Sequence, residues 1–346
     1  MLKYVATSVG IFLAMISFGA IQAAEAQTAV YGELVKEAKA EGEVEFWASW
    51  NKEPAENLLK VFAKKFGIKT TYRLWRGTPV QQRTLIELQS GRKVSADLIS
   101  PGREAQQQFL DAGVFQKPPF EYLKVWPEID KRQYDPSGWA LNVSGNGRAV
   151  AYNSKLVPPE LVPRAWEDCA RPEFKGKVVL DPRHKLLALH WNRREWFLDW
   201  VKRMVANDAK LIREQTEMIQ LIAAGAYALS CGAQTHSTLA VLEKGAENLK
   251  LAVPGELLIE AGNASFIRKG SPRPHAAQLL GGWLASEEGQ RLLDKEDYRG
   301  FPWVEGTHNA GLAKGKKVLL CDPECAAKAG EMSAEYVRAL GLPVTK

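Results

Sequence analysis

The side chains best placed to bind a ligand follow predicted strands. In an open parallel sheet, ligands collect beyond the carboxyl ends of strands, where loops and helix N-termini present unpaired backbone N–H groups. Short polar loops follow predicted strands throughout the chain, and one polar residue precedes the strand predicted at 264–268. The candidate binding residues are Ser49, Trp50, Gly77, Thr78, Ser100, Arg183, Gln234, Thr235, His236 and Asn263.

Two of these loops have the chemistry of an anion site. The planar guanidinium of Arg183 suits a carboxylate or a phosphate, and the alternative is a surface salt bridge with Asp181. Gly77-Thr78-Pro79 opens a predicted helix, whose free N–H groups and threonine hydroxyl could bind an anion. The alternative for that motif is an ordinary helix cap. Arg148, within a predicted strand, is expected to be structural.

The aromatic and imidazole candidates have several interpretations. Trp50 either stacks on a ligand or covers the surface of its domain. His236 hydrogen-bonds the ligand, caps a helix or ligates a metal. A metal site needs several ligands, and His236 has no partner at ligand spacing, so we expect neither a metal nor another cofactor.

The sequence lacks the motifs of common enzyme classes. It has no Gly-x-Ser-x-Gly after a strand, no His-Glu-x-x-His, no Walker loop and no dinucleotide-binding glycine motif,. Nothing pairs a nucleophile with a base. We therefore expect a binding protein and not an enzyme.

Four cysteines are too few to hold together 346 residues, so a hydrophobic core must do so. Cys321 and Cys325 are separated by Asp-Pro-Glu, a spacing that favours a local disulfide over a metal half-site in an exported protein. Cys169 and Cys231 are either bridged or separately buried.

Residues 1–26 have the features of an export signal. Lys3 precedes an uncharged apolar run at 5–21, and Ala24-Glu25-Ala26 matches a small-x-small cleavage site,. The alternative is a membrane anchor, but the run is short for a spanning helix and diluted with small residues. We expect a mature chain that begins at Gln27 and resides in the periplasm of a Gram-negative cell.

Predicted strands and helices alternate along the mature chain, which is typical of an α/β protein with a parallel sheet. Strands are predicted at 44–48, 69–75, 96–100, 147–152, 177–180, 226–230, 249–253 and 264–268, and helices at 31–41, 56–66, 80–90, 191–205, 237–244, 274–285 and 287–293. The net charge of +6 arises from scattered basic pairs. No concentrated basic surface is indicated, so we expect no nucleic-acid partner.

The chain resembles the extracellular solute-binding proteins of bacterial ABC importers, in the branch that contains the ferric-iron-binding proteins. No single stretch is specific, but the ordered set extends over nearly the whole mature chain. The matching stretches are Glu37-Ala-Lys-Ala-Glu-Gly-Glu-Val44, Arg76-Gly-Thr78 with 87–100, 147–156, 174–183, and 269–279 with 285–290.

This resemblance implies a type II periplasmic-binding-protein fold, with two α/β lobes joined by two crossing strands. We expect the strands to cross near 149–153 and 258–266. The first lobe would contain 27–148 and 264–346, with the C-terminal helices packing across the hinge, and the second lobe 149–263. The implied partners are a small solute and an inner-membrane ABC permease, and the usual form of the family is a monomer.

The sequence departs from the iron-binding members at one place. Those proteins carry two adjacent tyrosines where this chain has Gln234-Thr235-His236. Phenolate oxygens suit ferric iron, and a Thr-His pair does not replace them. We therefore expect a periplasmic substrate-binding protein for a small anionic organic solute. A ferric-iron-binding protein of the same fold is one alternative, and an exported α/β enzyme is another.

Overall fold

A computed structural model describes residues 27–344, and its first element is helix α1 (27–41). The predicted export segment 1–26 lies outside the described residues. After α1, the chain alternates between strands and helices. These elements are β1 (Glu43–Ala48), α2 (Lys52–Phe66), β2 (Lys69–Leu74), α3 (Thr78–Gln89), β3 (Leu98–Ile99), α4 (Arg103–Asp111), β4 (Phe115–Gln116) and α5 (Tyr122–Val125).

The middle of the chain forms a second group of elements. It contains β5 (Leu141–Asn153), β6 (Val178–Leu180), α6 (Leu187–Asn192), α7 (Arg194–Ala206), β7 (Lys210–Leu211), α8 (Gln215–Ala223), β8 (Leu229–Gln234), α9 (Thr235–Glu243) and β9 (Leu249–Ala252). The last group contains β10 (Glu256–Arg268), α10 (Pro274–Ala285), α11 (Glu287–Asp297), α12 (His308–Ala313), β11 (Lys317–Leu320), α13 (Pro323–Ala327) and α14 (Ala329–Ala339).

Helix α2 illustrates how apolar spacing produces these elements. Leu58, Leu59, Phe62 and Phe66 are buried, and their three- and four-residue spacing places them on one helical face. Gly67 then adopts a left-handed conformation (φ 70°) and donates its N–H to the carbonyl of Ala63. A glycine takes this conformation without steric cost, so the helix ends there.

The strands of the described chain form one eleven-stranded sheet. Its main order is β2-β1-β3-β10-β5-β8-β6-β7, while β4 and β11 also pair with β10 and β9 pairs with β5. β1 is parallel to β2 and β3, and β6 is parallel to β7 and β8. Two groups of parallel strands therefore lie on either side of the β5–β10 pair, as expected for the α/β class.

β5 and β10, of 13 residues each, connect the two groups. They are antiparallel, from Leu141 opposite Ser265 to Arg148 opposite Leu258. Beyond residue 148, β5 pairs with β8 and β9, while the end of β10 pairs with β3 and β4. The chain thus passes between the two groups twice.

Two large apolar clusters hold the molecule together. The first core is centred on side chains such as Phe46, Phe62 and Trp283. The second core contains Trp166, Phe197 and Trp200, and also Met332, Tyr336 and Leu340 of the C-terminal helix. The C-terminal helices thus pack on the second core, and the lobe boundaries drawn from the sequence stay a prediction.

Some elements differ from the sequence-based expectation. The helix predicted at 191–205 is two helices, α6 and α7, separated at Arg193. The strand predicted at 226–230 lies at 229–234, because Gly225 turns the chain (φ 83°) and pairing with β6 begins only at Leu229. Helices α4, α8 and α12–α14 have no counterpart among the predicted elements.

Both cysteine pairs form disulfides, Cys169–Cys231 and Cys321–Cys325. The disulfide between Cys321 and Cys325 is the one that their spacing predicts. Cys169 and Cys231 are bridged, and not separately buried as free thiols. Within residues 27–344, no helix has the length and apolar character needed to traverse a bilayer.

Candidate ligand-binding cleft

A cleft of about 1990 Å³ separates the strand ends of the two groups. The loops after β1 and β2 and the start of α4 line one wall, and the loop after β6 and the start of α9 line the other. Residues of β5 and the turn after α11 also contribute. This placement agrees with the rule that ligands collect beyond the carboxyl ends of parallel strands.

Three arginines from different elements meet at this cleft. Arg76 follows β2, Arg148 lies on β5, and Arg299 follows α11. Arg76 is exposed and donates to the carbonyl of Ser49 (2.7 Å) and the amide oxygen of Asn51 (3.0 Å). Neither acceptor carries a charge, so the positive charge of Arg76 is not neutralised by these contacts.

Each of the other two arginines is paired with a carboxylate. Arg148, 1% exposed, lies 2.7 Å from the Glu260 carboxylate and donates to the Gly232 carbonyl. The Nε of Arg299 lies 2.6 Å from Oδ2 of Asp297. Because burial of an unpaired charge is costly, these carboxylates allow the guanidinium groups to remain charged inside the fold.

The turn between Asp297 and Arg299 has an uncommon backbone. Tyr298 adopts the left-handed conformation (φ 54°) and ends α11 by donating its N–H to the carbonyl of Asp294. A bulky residue rarely adopts this conformation, and such positions cluster at functional sites. Here the turn brings the charged side chains on both sides of Tyr298 to the cleft.

His236 lies at the start of α9 and is 6% exposed. Burial, together with Arg299, Arg148 and Arg76, holds the pKa of the imidazole well below its ordinary 6.5. His236 is therefore neutral at physiological pH. Its Nδ1 is buried without a hydrogen-bond partner in the described structure.

Backbone N–H groups add to this positive character. The first turn of α9 reaches the cleft through His236 and Ser237, and α3 and α4 start at cleft-lining Gly77 and Gly102. The first N–H groups of a helix have no intrahelical acceptor and favour anions. Gln81 already accepts from the N–H of Gly102 (3.3 Å).

The side chains and backbone that line the cleft carry more positive than negative charge. Among its described lining residues there are eight lysines and arginines and five aspartates and glutamates. The excess, together with the helix N-termini, favours an anionic ligand.

The structure brings five of the candidate residues to the cleft. These are Ser49, Gly77, Arg183, Gln234 and His236. The backbone of Thr78 begins α3 and that of Asn263 lies in β10, but their side chains lie outside what the structure describes.

Three other candidates are buried away from the cleft. Trp50, 1% exposed, packs edge-to-face on Phe46 in the first core, so it neither stacks on a ligand nor covers a surface. Ser100 is buried, with its hydroxyl directed at the carbonyl of Ala264 (3.5 Å). Thr235 is buried with its Oγ1 3.0 Å from Oδ1 of Asn309. In each case the side chain is committed to internal packing or hydrogen bonding.

Arg183 lines the cleft, but the structure favours the salt-bridge interpretation of this residue. Its Nε and Nη2 contact both oxygens of Asp181 (3.0 and 2.8 Å), and Nη2 also donates to the carbonyl of Arg213. A guanidinium group that already binds one carboxylate through two nitrogens has less capacity to bind a second anion.

Residues that the sequence analysis missed make up much of the cleft. The sequence predicts a structural role for Arg148, and it presents Arg76 only within a stretch that resembles the family, directly before the candidate Gly77. Asp297 and Arg299 follow a helix, not a strand, so the strand-end rule does not find them. The one visible signal was the charged segment Asp297-Tyr-Arg299 after a predicted helix.

Potential metal ligands were sought among the described residues. No cluster of three or more His, Cys, Asp or Glu side chains suited to a metal occurs within 27–344. Tyr134 lines the cleft, but it donates its hydroxyl to the carbonyl of Trp126 (2.9 Å), and burial raises its pKa to about 12. This phenol is poorly disposed to act as a phenolate ligand.

Comparison with known proteins identifies the family. A model for a family described as bacterial extracellular solute-binding protein matches residues 94–327, more than half of the chain. The chain belongs to this family. Its members bind and transport solutes, and the family is assigned to the extracellular or periplasmic space. None of the curated proteins matches the sequence at a significant level.

Solved structures share the fold at low sequence identity. Iron-bound HitA from Pseudomonas aeruginosa has a TM-score of 0.69 and 17% identity, covering 87% of this chain and 99% of its own. A Bordetella ferric binding protein has a TM-score of 0.69 and 20% identity, with coverages of 86% and 99%. The substrate binding protein of an ABC transporter from Agrobacterium tumefaciens has a TM-score of 0.68 and 14% identity, with coverages of 86% and 95%. The chain therefore has the two-lobed periplasmic-binding-protein fold expected from the sequence.

Proposed function

We propose that this protein is the periplasmic substrate-binding component of an ABC importer. It captures a small anionic organic solute between its two lobes and delivers it to a permease in the inner membrane. It acts as a monomer, without a catalytic step, a cofactor or a nucleic-acid partner. The export signal is removed after Ala26, and the mature protein begins at Gln27.

The observation that carries this proposal is the convergence of Arg76, Arg148 and Arg299 on neutral His236 at the N-terminus of α9. All three arginines line the same cleft as His236, and their charges help to depress the pKa of its imidazole. Asp297 and Glu260 are the carboxylates paired within this group. One positive charge in excess, several guanidinium donors and a helix N-terminus together suit an anion.

Ferric iron is the second candidate ligand, because the solved structures that share this fold include an iron-bound protein and a ferric binding protein. Against it, the cleft presents guanidinium groups where ferric iron would need hard anionic oxygens. Ser49, Gly77, Gln234 and His236 are proposed to contact the solute alongside the three arginines. None of these supplies an anionic oxygen ligand.

The proposal is tested by thermal unfolding of the mature protein with a panel of solutes. The panel contains phosphate, methylphosphonate, mono- and dicarboxylates, a polyamine, and ferric iron with and without citrate. A solute at a hundredfold excess over its Kd stabilises the protein by about 2.7 kcal/mol. We expect stabilisation by at least one organic anion.

Two results would contradict the proposal. Stabilisation by the polyamine or by ferric iron alone, with no response to any organic anion, would exclude the anionic ligand. Conversion of a bound solute to a product would indicate an enzyme instead of a carrier.

A further inference from the structure

Asp297 occupies a place in the cleft that an anionic ligand would also favour. Its side chain is 8% exposed, and its Oδ2 lies 2.6 Å from Nε of Arg299, which is 9% exposed. Both residues line the cleft. The carboxylate of Asp297 thus already binds one of the three arginines to which the proposed function assigns the ligand.

The groups around Asp297 come from several elements. Arg299 is on the same turn, while Asn51 in the loop after β1 and Arg76 in the loop after β2 both act to lower the pKa of the carboxyl group. Tyr72 of β2 also interacts electrostatically with it. Arg299 further donates to the amide oxygen of Asn146 on β5 (3.3 Å).

Two further ionisable residues, His236 and Glu260, interact with the arginines of the cleft. The charges of Arg299, Arg148 and Arg76 lower the pKa of His236 on α9. Glu260 of β10 is paired with Arg148. Asp297 is therefore the carboxylate that interacts with Arg299 and Arg76, the same arginines that an entering anion would contact. Glu260 is engaged with Arg148 on the other side of the site.

We propose that Asp297 is a ligand-binding residue, which neutralises Arg299 before an anion binds and takes up a proton from solvent when one does. This inference rests on the proposed function. The proton converts the carboxylate to a carboxylic acid, which can donate a hydrogen bond to the anion, and Arg299 is then released to pair with it. No covalent bond of the ligand changes.

The physical reason is that two anions cannot share the same guanidinium groups in a buried site without mutual repulsion. A like charge nearby disfavours the ionised form of a carboxyl group. Burial already raises the pKa of Asp297 above its ordinary value, while Arg299, Asn51 and Arg76 oppose that effect. An incoming anion weakens the opposition and raises the pKa further.

The direction of the pH dependence follows from linkage. If the carboxyl group has a higher pKa with the anion bound, the bound state holds more protons and affinity increases as pH falls. Each unit by which binding raises the pKa corresponds to a tenfold difference in affinity between pH values above and below both pKa values. At pH values well above both pKa values, the ionised carboxylate repels the anion and lowers its affinity.

Sulfate and oxalate are suitable probes because their charges are constant from pH 5.5 to 8.5. We would measure binding of each to the mature protein by calorimetry, in pairs of buffers that differ in ionisation heat. The expected result is net proton uptake of up to one proton per site, which is larger at the acidic end of this range than at pH 8.5. Affinity should rise by about tenfold over the same range as the pH is lowered.

Asp297→Asn and His236→Gln separate the proposed proton site from the imidazole that faces the same arginines. Asp297→Asn should bind both probes about tenfold or more tightly at pH 8, without proton uptake, because the competing charge is absent. His236→Gln should retain the uptake. The measurement on the unmodified protein does not depend on whether either variant folds.

Three outcomes would overturn the inference: probe binding without proton uptake, uptake that persists in Asp297→Asn, or failure of both probes to bind. The first two would leave the proposed function intact, because the anion would still be bound. The third would also leave it intact if an organic anion stabilises the protein in the thermal test.

Discussion

Arg148 and Asp297 are ionisable side chains that the fold has removed from most contact with water. Each is balanced by an opposite charge, since Glu260 pairs with Arg148 and Arg299 with Asp297. Arg76 differs because it is exposed and its hydrogen-bond acceptors are neutral. Substitution of Arg76 therefore tests ligand binding with the least disturbance of the fold.

We expect Arg76→Gln to weaken binding of the anionic solute by about ten- to a hundredfold, because a hydrogen bond to a charged group contributes about 1.5–3 kcal/mol. Stability should change by less than about 0.5 kcal/mol, as for most surface substitutions. Calorimetric titration and urea unfolding measure the two effects. Arg83→Gln is the control, since Arg83 is an exposed arginine of α3 that pairs with Glu87. Equal affinity losses in both variants would argue against a specific role for Arg76.

Three buried histidines make stability depend on pH. Burial lowers the pKa of His184, His190 and His236 below 6.5, although Glu335 partly opposes this for His190. In the unfolded chain these imidazoles bind protons at about pH 6.5, whereas the folded protein holds them neutral. The unfolded state therefore binds more protons below that pH, and stability falls on acidification.

The expected decrease between pH 7 and 5 is up to about 1.4 kcal/mol per pH unit for each histidine. Urea unfolding at several pH values, in buffers without sulfate or phosphate, measures this slope. His236→Gln should reduce the slope by the share of one histidine. An unchanged slope in His236→Gln would refute the assignment of a neutral buried imidazole at this position.

Among the elements, β5 has a close backbone approach to α9 and α12 at Gly147. A Cβ at Gly147 would lie 2.5 Å from Oγ1 of Thr235 and 2.6 Å from Oδ1 of Asn309. Asn309 also donates to the carbonyls of Gly145 and Gly300 (3.2 and 2.8 Å). The buried amide thus connects β5, the first turn of α9 and the loop that follows Arg299.

We expect Gly147→Ala to destabilise the protein by more than about 2 kcal/mol, because the Cβ has no room and the polar contacts of Asn309 would be displaced. Gly330→Ala is the matched control on helix α14, where the added Cβ meets nothing within 4 Å. That change should be neutral or stabilise the protein by up to about 1 kcal/mol. Urea unfolding of both variants measures the difference. Similar stabilities of the two variants would mean that β5 and α9 are not packed this closely.

At the scale of the whole molecule, β5, β10 and the C-terminal segment connect the two cores. The chain leaves the first group of strands on β5, returns on β10, and then adds α13 and α14 to the second core. Two antiparallel strands that span both groups form the geometry of a hinge between lobes. This connectivity is consistent with closure on a ligand.

The two disulfides should contribute unequally to global stability. Cys169–Cys231 closes a separation of 62 residues and Cys321–Cys325 one of four. In the chain-entropy model these loops correspond to roughly 4 and 2 kcal/mol. We expect the double alanine variant at 169 and 231 to lose more stability than that at 321 and 325, as measured by urea unfolding. The opposite order would show that local packing around the shorter loop outweighs chain entropy.

Much of the fold could be predicted from local pattern. The apolar spacing of Leu59, Phe62 and Phe66, ended by Gly67, locates α2, and similar patterns locate most of the first strands and helices. Predictions were poorest where local pattern is ambiguous, as at Arg193, where one amphipathic run is divided between two helices. They were also incomplete for the C-terminal helices, whose apolar faces are defined by the second core.

The site was less predictable than the fold. Ser49, Gly77, Gln234 and His236 were found because the strand-end rule depends only on chain order. The same rule selected Trp50, Ser100 and Thr235, since it does not indicate whether a side chain points into the cleft or into the protein. It did not find Asp297 and Arg299, which a left-handed Tyr298 directs to the cleft.

By itself, the sequence determined the α/β class, the family resemblance and the absence of an adjacent tyrosine pair at residues 234–236, because these depend on residue order and local spacing. Only the tertiary structure decided that Arg76, Arg148, Arg299 and His236 line one cleft and that Asp297 pairs with one of these arginines. These residues are distant along the chain, and their charges interact only after the two strand crossings bring them to one cleft. Burial, which sets their ionisation and the choice of partners, is likewise a property of the folded molecule.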